Sequence, residues 1–191
     1  MRIIAGKVKN RGILSIPRKS GLRPMLARIR QSLFDILRPR IVESDFLDLY
    51  AGTGSVGLEA LSRGARSAVF VEKDKACIHV IRKNLERLGF TSQADVYCAD
   101  VLGGFPWVGG PFDIVFMGPP YKDLRKQPLH LTGPTLDRIS QAGLLVPGGW
   151  VVAQHHAKEH LKIPAGWFLF RQEKYGDSRL SFFKRISCSE V

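Results

Sequence analysis

The chain reads as an α/β protein whose parallel sheet is covered by helices, with a small basic extension at its N-terminus. Three observations carry that reading. From residue 45 onward, short apolar runs alternate with helical patterns, as strand–helix–strand units do. Glycines 52, 54 and 57 follow the first of those runs directly, the arrangement of a strand-to-helix turn that approaches a ligand. The charge is concentrated at one end: residues 1–40 hold eleven Lys or Arg and one acid, leaving 18 bases and 16 acids over residues 41–191. The chain is therefore divided into an extension, 1–40, and a main domain, 41–191.

In the extension, residues 2–5 and 12–16 read as two short strands, because Ile3, Ile4, Ile13, Leu14 and Ile16 interleave apolar positions with the charges. Residues 24–37 read as a helix, with Pro24 suited to the first turn. Its apolar stripe is Leu26, Ile29, Leu33, Phe34, Ile36 and Leu37, which leaves Arg28 and Arg30 nearer the polar side. Strands are predicted at 46–50, 68–71, 96–99, 112–117 and 150–154, with helical segments at 56–62, 76–88 and 135–142. The tail changes character, since 167–172 and 180–186 are joined around Tyr175-Gly176-Asp177 and read as an antiparallel hairpin.

A length of 191 residues is enough to bury a core without disulfides. With 45% hydrophobic and 24% charged residues and a mean hydropathy of -0.05, the chain is not a disordered or low-complexity one. Cys77, Cys98 and Cys188 are odd in number and never form C-x-x-C, which argues against a disulfide framework or a cysteine zinc site. Neither a signal peptide nor a run of about 18 apolar residues is visible, so a cytoplasmic protein with no membrane partner is expected. The net charge of +12 points to a polyanionic partner.

The first predicted strand runs into Asp48-Leu49-Tyr50-Ala51-Gly52-Thr53-Gly54-Ser55-Val56-Gly57. A glycine pattern of this kind serves ligand-binding turns and plain tight turns alike. Acids at successive strand ends narrow the choice. Glu72 closes the second strand, where a carboxylate accepts the hydroxyls of a ribose. Asp48 would repel a pyrophosphate but attract the cationic sulfonium and amino group of S-adenosyl-L-methionine. Asp100 follows the third strand at a height suited to an adenine edge. Each acid alone also reads as a helix cap or a loop carboxylate; together with the turn they assign Asp48, Ala51, Gly52, Thr53, Gly54, Glu72 and Asp100 to the cofactor. A nicotinamide oxidoreductase would use Glu72 similarly, yet it gains nothing from the basic end or from the Pro-Pro-Tyr at residues 119–121.

After 112–117 comes Gly118-Pro119-Pro120-Tyr121. Consecutive prolines withhold N–H donors, so carbonyls can face a pocket as acceptors, and Tyr121 offers a ring on which a base stacks. The plainer alternative is a rigid loop with a packed tyrosine. Lys7, Arg11, Arg23, Arg28 and Arg30 in the extension, with Lys122, Arg125 and Lys126 after Tyr121, are read as contacts to that polyanionic partner. His155, His156 and His160 lack the Glu of an H-E-x-x-H motif, so a surface loop and no metal are expected there. Cys77, Cys98, Trp107, Trp150 and Trp167 read as packing or rim residues.

Almost end to end, the chain resembles the RsmD-type bacterial 16S rRNA guanine-N2 methyltransferases of the class I fold. The resemblance rests on Met1-Arg2-Ile3-Ile4-Ala5-Gly6-Lys7, on Arg23-Pro24 with Arg28 to Leu37, on Asp48 to Gly54, on Gly57-Leu58-Glu59-Ala60-Leu61-Ser62-Arg63-Gly64-Ala65, on Val71-Glu72, and on Tyr175-Gly176 with Leu180-Ser181-Phe182-Phe183. It implies a Rossmann-like sheet of seven strands with the last reversed, S-adenosyl-L-methionine as donor and guanine N2 in small-subunit RNA as acceptor. The expected partner is 16S rRNA in small-subunit particles, met by a monomer, with Gly118, Pro119, Pro120 and Tyr121 at the chemistry. One departure matters: the family carries Asp, and adenine-N6 relatives Asn, where this chain has Gly118. Asp123 is a candidate substitute acid. Met25 and Ala27 replace a small hydroxyl residue and Asp, which leaves the helix start poorly capped. Loss of the Asp also opens a second reading, an RNA-binding ribosome-assembly factor with little or no activity.

Overall fold

Among the described residues the alternating pattern folds into one sheet of seven strands: β1 (Asp45–Leu49), β2 (Ser67–Glu72), β3 (Ala94–Cys98), β4 (Phe112–Met117), β5 (Leu145–His156), β6 (Trp167–Tyr175) and β7 (Ser178–Arg185). Their order is β3-β2-β1-β4-β5-β7-β6, and β7 runs antiparallel between β5 and β6. The computed structural model describes residues 1–16, 25–105, 109–123, 125 and 127–186. Arg23, Pro24, Trp107, Lys126 and Cys188 lie outside them, and so do the expectations placed on those residues.

Helices α1 (Ala27–Leu37), α2 (Ser55–Ser62) and α3 (Lys75–Leu88) bury Leu33, Phe34, Leu58, Leu61, Ile81 and Leu85 in one cluster with Phe46, Phe70 and Phe182 of the sheet. On the other face, α4 (Thr132–Gln141) packs Leu136 and Ile139 with Leu47, Val115, Val151 and Phe183. Buried on both faces, the central strands read as continuous apolar runs, which is why the sequence locates them. The start of β5 escapes that reading, because Pro147, Gly148 and Gly149 look like a turn and the β4 partner does shift register there, between Phe112 and Ile114. His155 and His156 are the last two residues of β5 rather than a surface loop, and His155 is fully buried, in the same alternation as Val151 and Ala153. Cys77 is packed as expected, while Cys98 is exposed because β3 is an edge strand.

Instead of the two expected strands, the extension makes one antiparallel bridge, Arg2 to Gly12. The ladder stops because its next donors go elsewhere: the Ile4 and Ala5 amides donate to Glu59 of α2 at 2.8 and 3.0 Å, and the Leu14 amide donates to Oδ1 of Asn84 in α3 at 2.7 Å. Ile3 and Ile13 are buried in the cluster shared with α1 and α2. The start of α1 carries no side-chain cap, and Leu26, expected in the apolar stripe, is 51% exposed at its N-cap.

Arg30 corrects the reading of α1. It belongs to the buried face with Ile29, Leu33, Phe34 and Leu37, and its side chain is 0% exposed. Its Nη2 donates to the Arg2 carbonyl at 2.6 Å, and Nε lies 3.5 Å from Glu59. Burial lowers its pKa, and the Glu59 charge opposes that shift. A cation held this way is a strut, not a phosphate contact. Arg63 also donates to Glu59, at 2.9 Å, so one carboxylate fixes two arginines and two backbone amides. Glu59→Gln, which leaves the Arg30 charge buried without its partner, is expected to cost about 3–5 kcal/mol in urea unfolding.

Candidate active site

The β1–α2 turn is shaped by its glycines. Gly52 and Gly54 take φ of +55° and +79°, the left-handed region in which a side chain is strained. A Cβ at Gly52 would meet nothing within 4 Å, so the turn faces open space, whereas one at Gly57 would lie 2.3 Å from the Phe70 ring. The first two glycines therefore shape the turn, and the third lets α2 settle onto β2.

Asp48 precedes the last residue of β1, Glu72 ends β2 and Asp100 follows the end of β3 by two residues, and the three strands are neighbours in the sheet. Asp48 is buried and accepts the Gly57 amide at 2.9 Å. Burial is the main reason its pKa is pushed up to about 7; the Gly57 bond opposes this and the Glu72 charge adds to it. Glu72 Oε2 accepts the Gly52 amide at 2.9 Å, while Oε1 accepts the Lys73 and Asp74 amides. With about four acceptor positions on a carboxylate, Glu72 has room for one ribose hydroxyl at Oε2. Asp100 caps a short turn through Leu102 and is otherwise exposed, with Lys73 at 3.9 Å. Asp100 thus caps a short turn, while Asp48 and Glu72 act as loop carboxylates that brace backbone amides.

Next to this turn, the end of β4 places Gly118 beside β1, its amide donating to the Leu49 carbonyl at 3.3 Å. A Cβ at Gly118 would meet only the Phe116 ring, at 3.3 and 3.6 Å, so a side chain fits with a small shift of that ring. Pro119 is buried and Pro120 exposed. The half-buried Tyr121 donates its hydroxyl to Ser178 Oγ at 3.2 Å. Lys7, Arg11, Arg28, Lys122 and Arg125 are exposed. Among the described residues no cluster of His, Cys, Asp or Glu could hold a metal, and no helix is long and apolar enough to cross a membrane.

The family model described as "Conserved hypothetical protein 95" matches residues 1–184. The chain is 33% identical over 191 residues to the Escherichia coli K12 protein named ribosomal RNA small subunit methyltransferase D, covering 100% of this chain and 92% of that one. The chain belongs to the RsmD-type family. Another RsmD-type relative, from Haemophilus influenzae, is 33% identical over 92% of this chain and 89% of its own. Among solved structures, the Escherichia coli protein yhhF, described as a candidate methyltransferase, matches with a TM-score of 0.83 at 32% identity, covering 97% of both chains. A Thermus thermophilus protein described as hypothetical matches at 0.75 and 33% identity, over 95% of this chain and 98% of that one.

Of the stretches that carry the resemblance, Gly57 to Ala65 covers most of α2 and the turn after it, with Glu59 buried inside, and Tyr175 to Ser178 is the turn that meets Tyr121. Sequence reasoning passed over Asn84, whose Nδ2 reaches the carbonyls of Leu14 at 3.2 Å and Thr53 at 3.4 Å. Like Glu59, it is a polar residue on the apolar side of a helix, and that is the signal which marks both. Gly57→Ala is expected to destabilise by about 1–3 kcal/mol through overpacking against Phe70, read as a lower midpoint in thermal unfolding.

Proposed function

We propose that this chain is an S-adenosyl-L-methionine-dependent methyltransferase that modifies guanine N2 of 16S rRNA within small-subunit particles, acting as a cytoplasmic monomer. The observation that carries the reading is the row of Asp48, Glu72 and Asp100 near three adjoining strand tips around an open glycine turn, beside Gly118 to Tyr121. The residues fit the donor. A buried carboxylate pushed to about 7 is relieved by a cationic ligand and would be burdened further by a pyrophosphate. Ala51, Gly52, Thr53 and Gly54 supply the turn, and Glu72 accepts a ribose hydroxyl. When bound, S-adenosyl-L-methionine supplies an electrophilic methyl group on a cationic sulfur.

This chain's own residues then present the acceptor. Exposed Lys7, Arg11, Arg28, Lys122 and Arg125 hold phosphates, with residues 1–40 serving as the RNA-binding extension. Tyr121 stacks the target base, turned out of its own stack. The carbonyls of Gly118 and Pro119 accept from the exocyclic amine, whose nucleophilicity they raise. With Gly118 there is no carboxylate to stabilise the positive charge that develops on that nitrogen, so proximity carries most of the catalysis.

Gly118 favours the second reading too, an assembly factor that binds RNA and the donor with little transfer. Single-turnover transfer from labelled S-adenosyl-L-methionine to undermethylated small-subunit particles separates the two. The expected result is slow N2 methylation, faster by about 100- to 1,000-fold in Gly118→Asp. No transfer by either protein rejects the guanine reading. Binding of the donor gives a further check. The cation favours ionised Asp48, so binding releases a proton below about pH 7, and affinity weakens as pH falls through that value. In calorimetry Asp48→Asn is expected to bind more weakly, with that pH dependence flattened.

A further inference from the structure

The turn between β6 and β7 has no role in the reading above. Tyr175 pairs with Ser178 across it, so Gly176 and Asp177 alone make the bend, with Gly176 at a φ of +59°. The turn is anchored to the end of β5 twice: the Ala157 amide donates to the Asp177 carbonyl at 2.8 Å, and Ser178 stands opposite His156 in the β5–β7 register. Deeper in the same strands, Ser181 Oγ lies 2.8 Å from Nε2 of buried His155 and accepts from Gln172 at 2.8 Å. That triplet, with His155 and Ser181 buried, ties β5, β6 and β7 together and holds the pairing in register.

Tyr121 sits across this paired edge. Its hydroxyl donates to Ser178, and its ring meets that of His156 edge-on, with centroids 5.7 Å apart at 82°. On the other flank of the turn, the Tyr175 hydroxyl is hydrogen-bonded to Ser32 of α1, the helix that carries exposed Arg28. Two hydroxyl contacts on half-buried groups add little to folding stability. What they do fix is direction, because a ring held at its hydroxyl and at one edge is already oriented when a base arrives.

We propose that the β6–β7 turn is the fixed wall of the target-base pocket, with Ser178 as the positioning residue for Tyr121 and Tyr175 fastening the same wall to the RNA-facing helix α1. This rests on Tyr121 being the residue on which the base stacks. Ser178 acts through Tyr121, so removing either hydroxyl loses the same contact. Replacing both then costs no more than replacing one.

The test is a double-mutant cycle on single-turnover methyl transfer at saturating donor, using Ser178→Ala, Tyr121→Phe and the pair. Each single variant is expected to lose about five- to tenfold, and the double variant no more than the worse single. Donor affinity and unfolding temperature stay unchanged. A second measurement does not need turnover. Ring-labelled protein gives signals from only four tyrosines, and the one missing in Tyr121→Phe is that of Tyr121. In Ser178→Ala this signal is expected to shift and narrow as the ring is freed. The proposal is overturned if Ser178→Ala leaves transfer and the Tyr121 signal as they were, or if the two losses multiply. If neither the chain nor Gly118→Asp transfers a methyl group, the assigned reaction fails, and the ring signal alone decides whether Ser178 positions Tyr121.

Discussion

The architecture depends on a carboxylate that never meets solvent. Glu59 lies in the middle of α2, 0% exposed, where an unpaired charge would be prohibitive. It is tolerated because Arg30, Arg63 and the amides of Ile4 and Ala5 surround it. Those four groups come from three parts of the chain, so satisfying one charge fastens the N-terminal segment and α1 to the helix that begins at the glycine turn. Residues 4 and 5 and α1 are therefore set in a defined place against α2.

Two features of the site pull in opposite directions. Asp48 is retained at a cost, since its raised pKa means that folding becomes less favourable as pH climbs from the ordinary carboxylate range towards 7. At Gly118, by contrast, the backbone leaves space for a side chain and carries none. Under the proposed reaction the carboxylates near the strand tips would grip the donor, while the acceptor amine would meet only backbone carbonyls.

Much of this was legible in the sequence, for identifiable reasons. Central strands announce themselves by doubly buried apolar runs, and the glycine turn by its spacing, so β1, β2, β4 and the first helices of the main domain fell close to their expected places. What failed were readings that needed the third dimension. Arg30 looked solvent-facing because a charge is read as polar until its partner, Glu59, is brought 29 residues back along the chain. His155 looked like loop because a polar residue at a strand end is indistinguishable from a turn until Ser181 and Gln172 are seen beside it. The short ladder of the extension failed likewise, since no pattern in residues 2–16 reveals that side chains of α2 and α3 take up its amides.

The outer edge of β6 has a separate consequence. A nine-residue border strand offers a row of open backbone groups to any extended peptide. Here the border is kinked by the irregularity between Leu169 and Arg171, and it carries Arg171, Glu173 and Lys174 in quick succession. The kink breaks the spacing a newcomer would need, and the charges keep the margin wetted. Crowded with its own kind during synthesis, the chain presents a frayed hem that resists being stitched into aggregates.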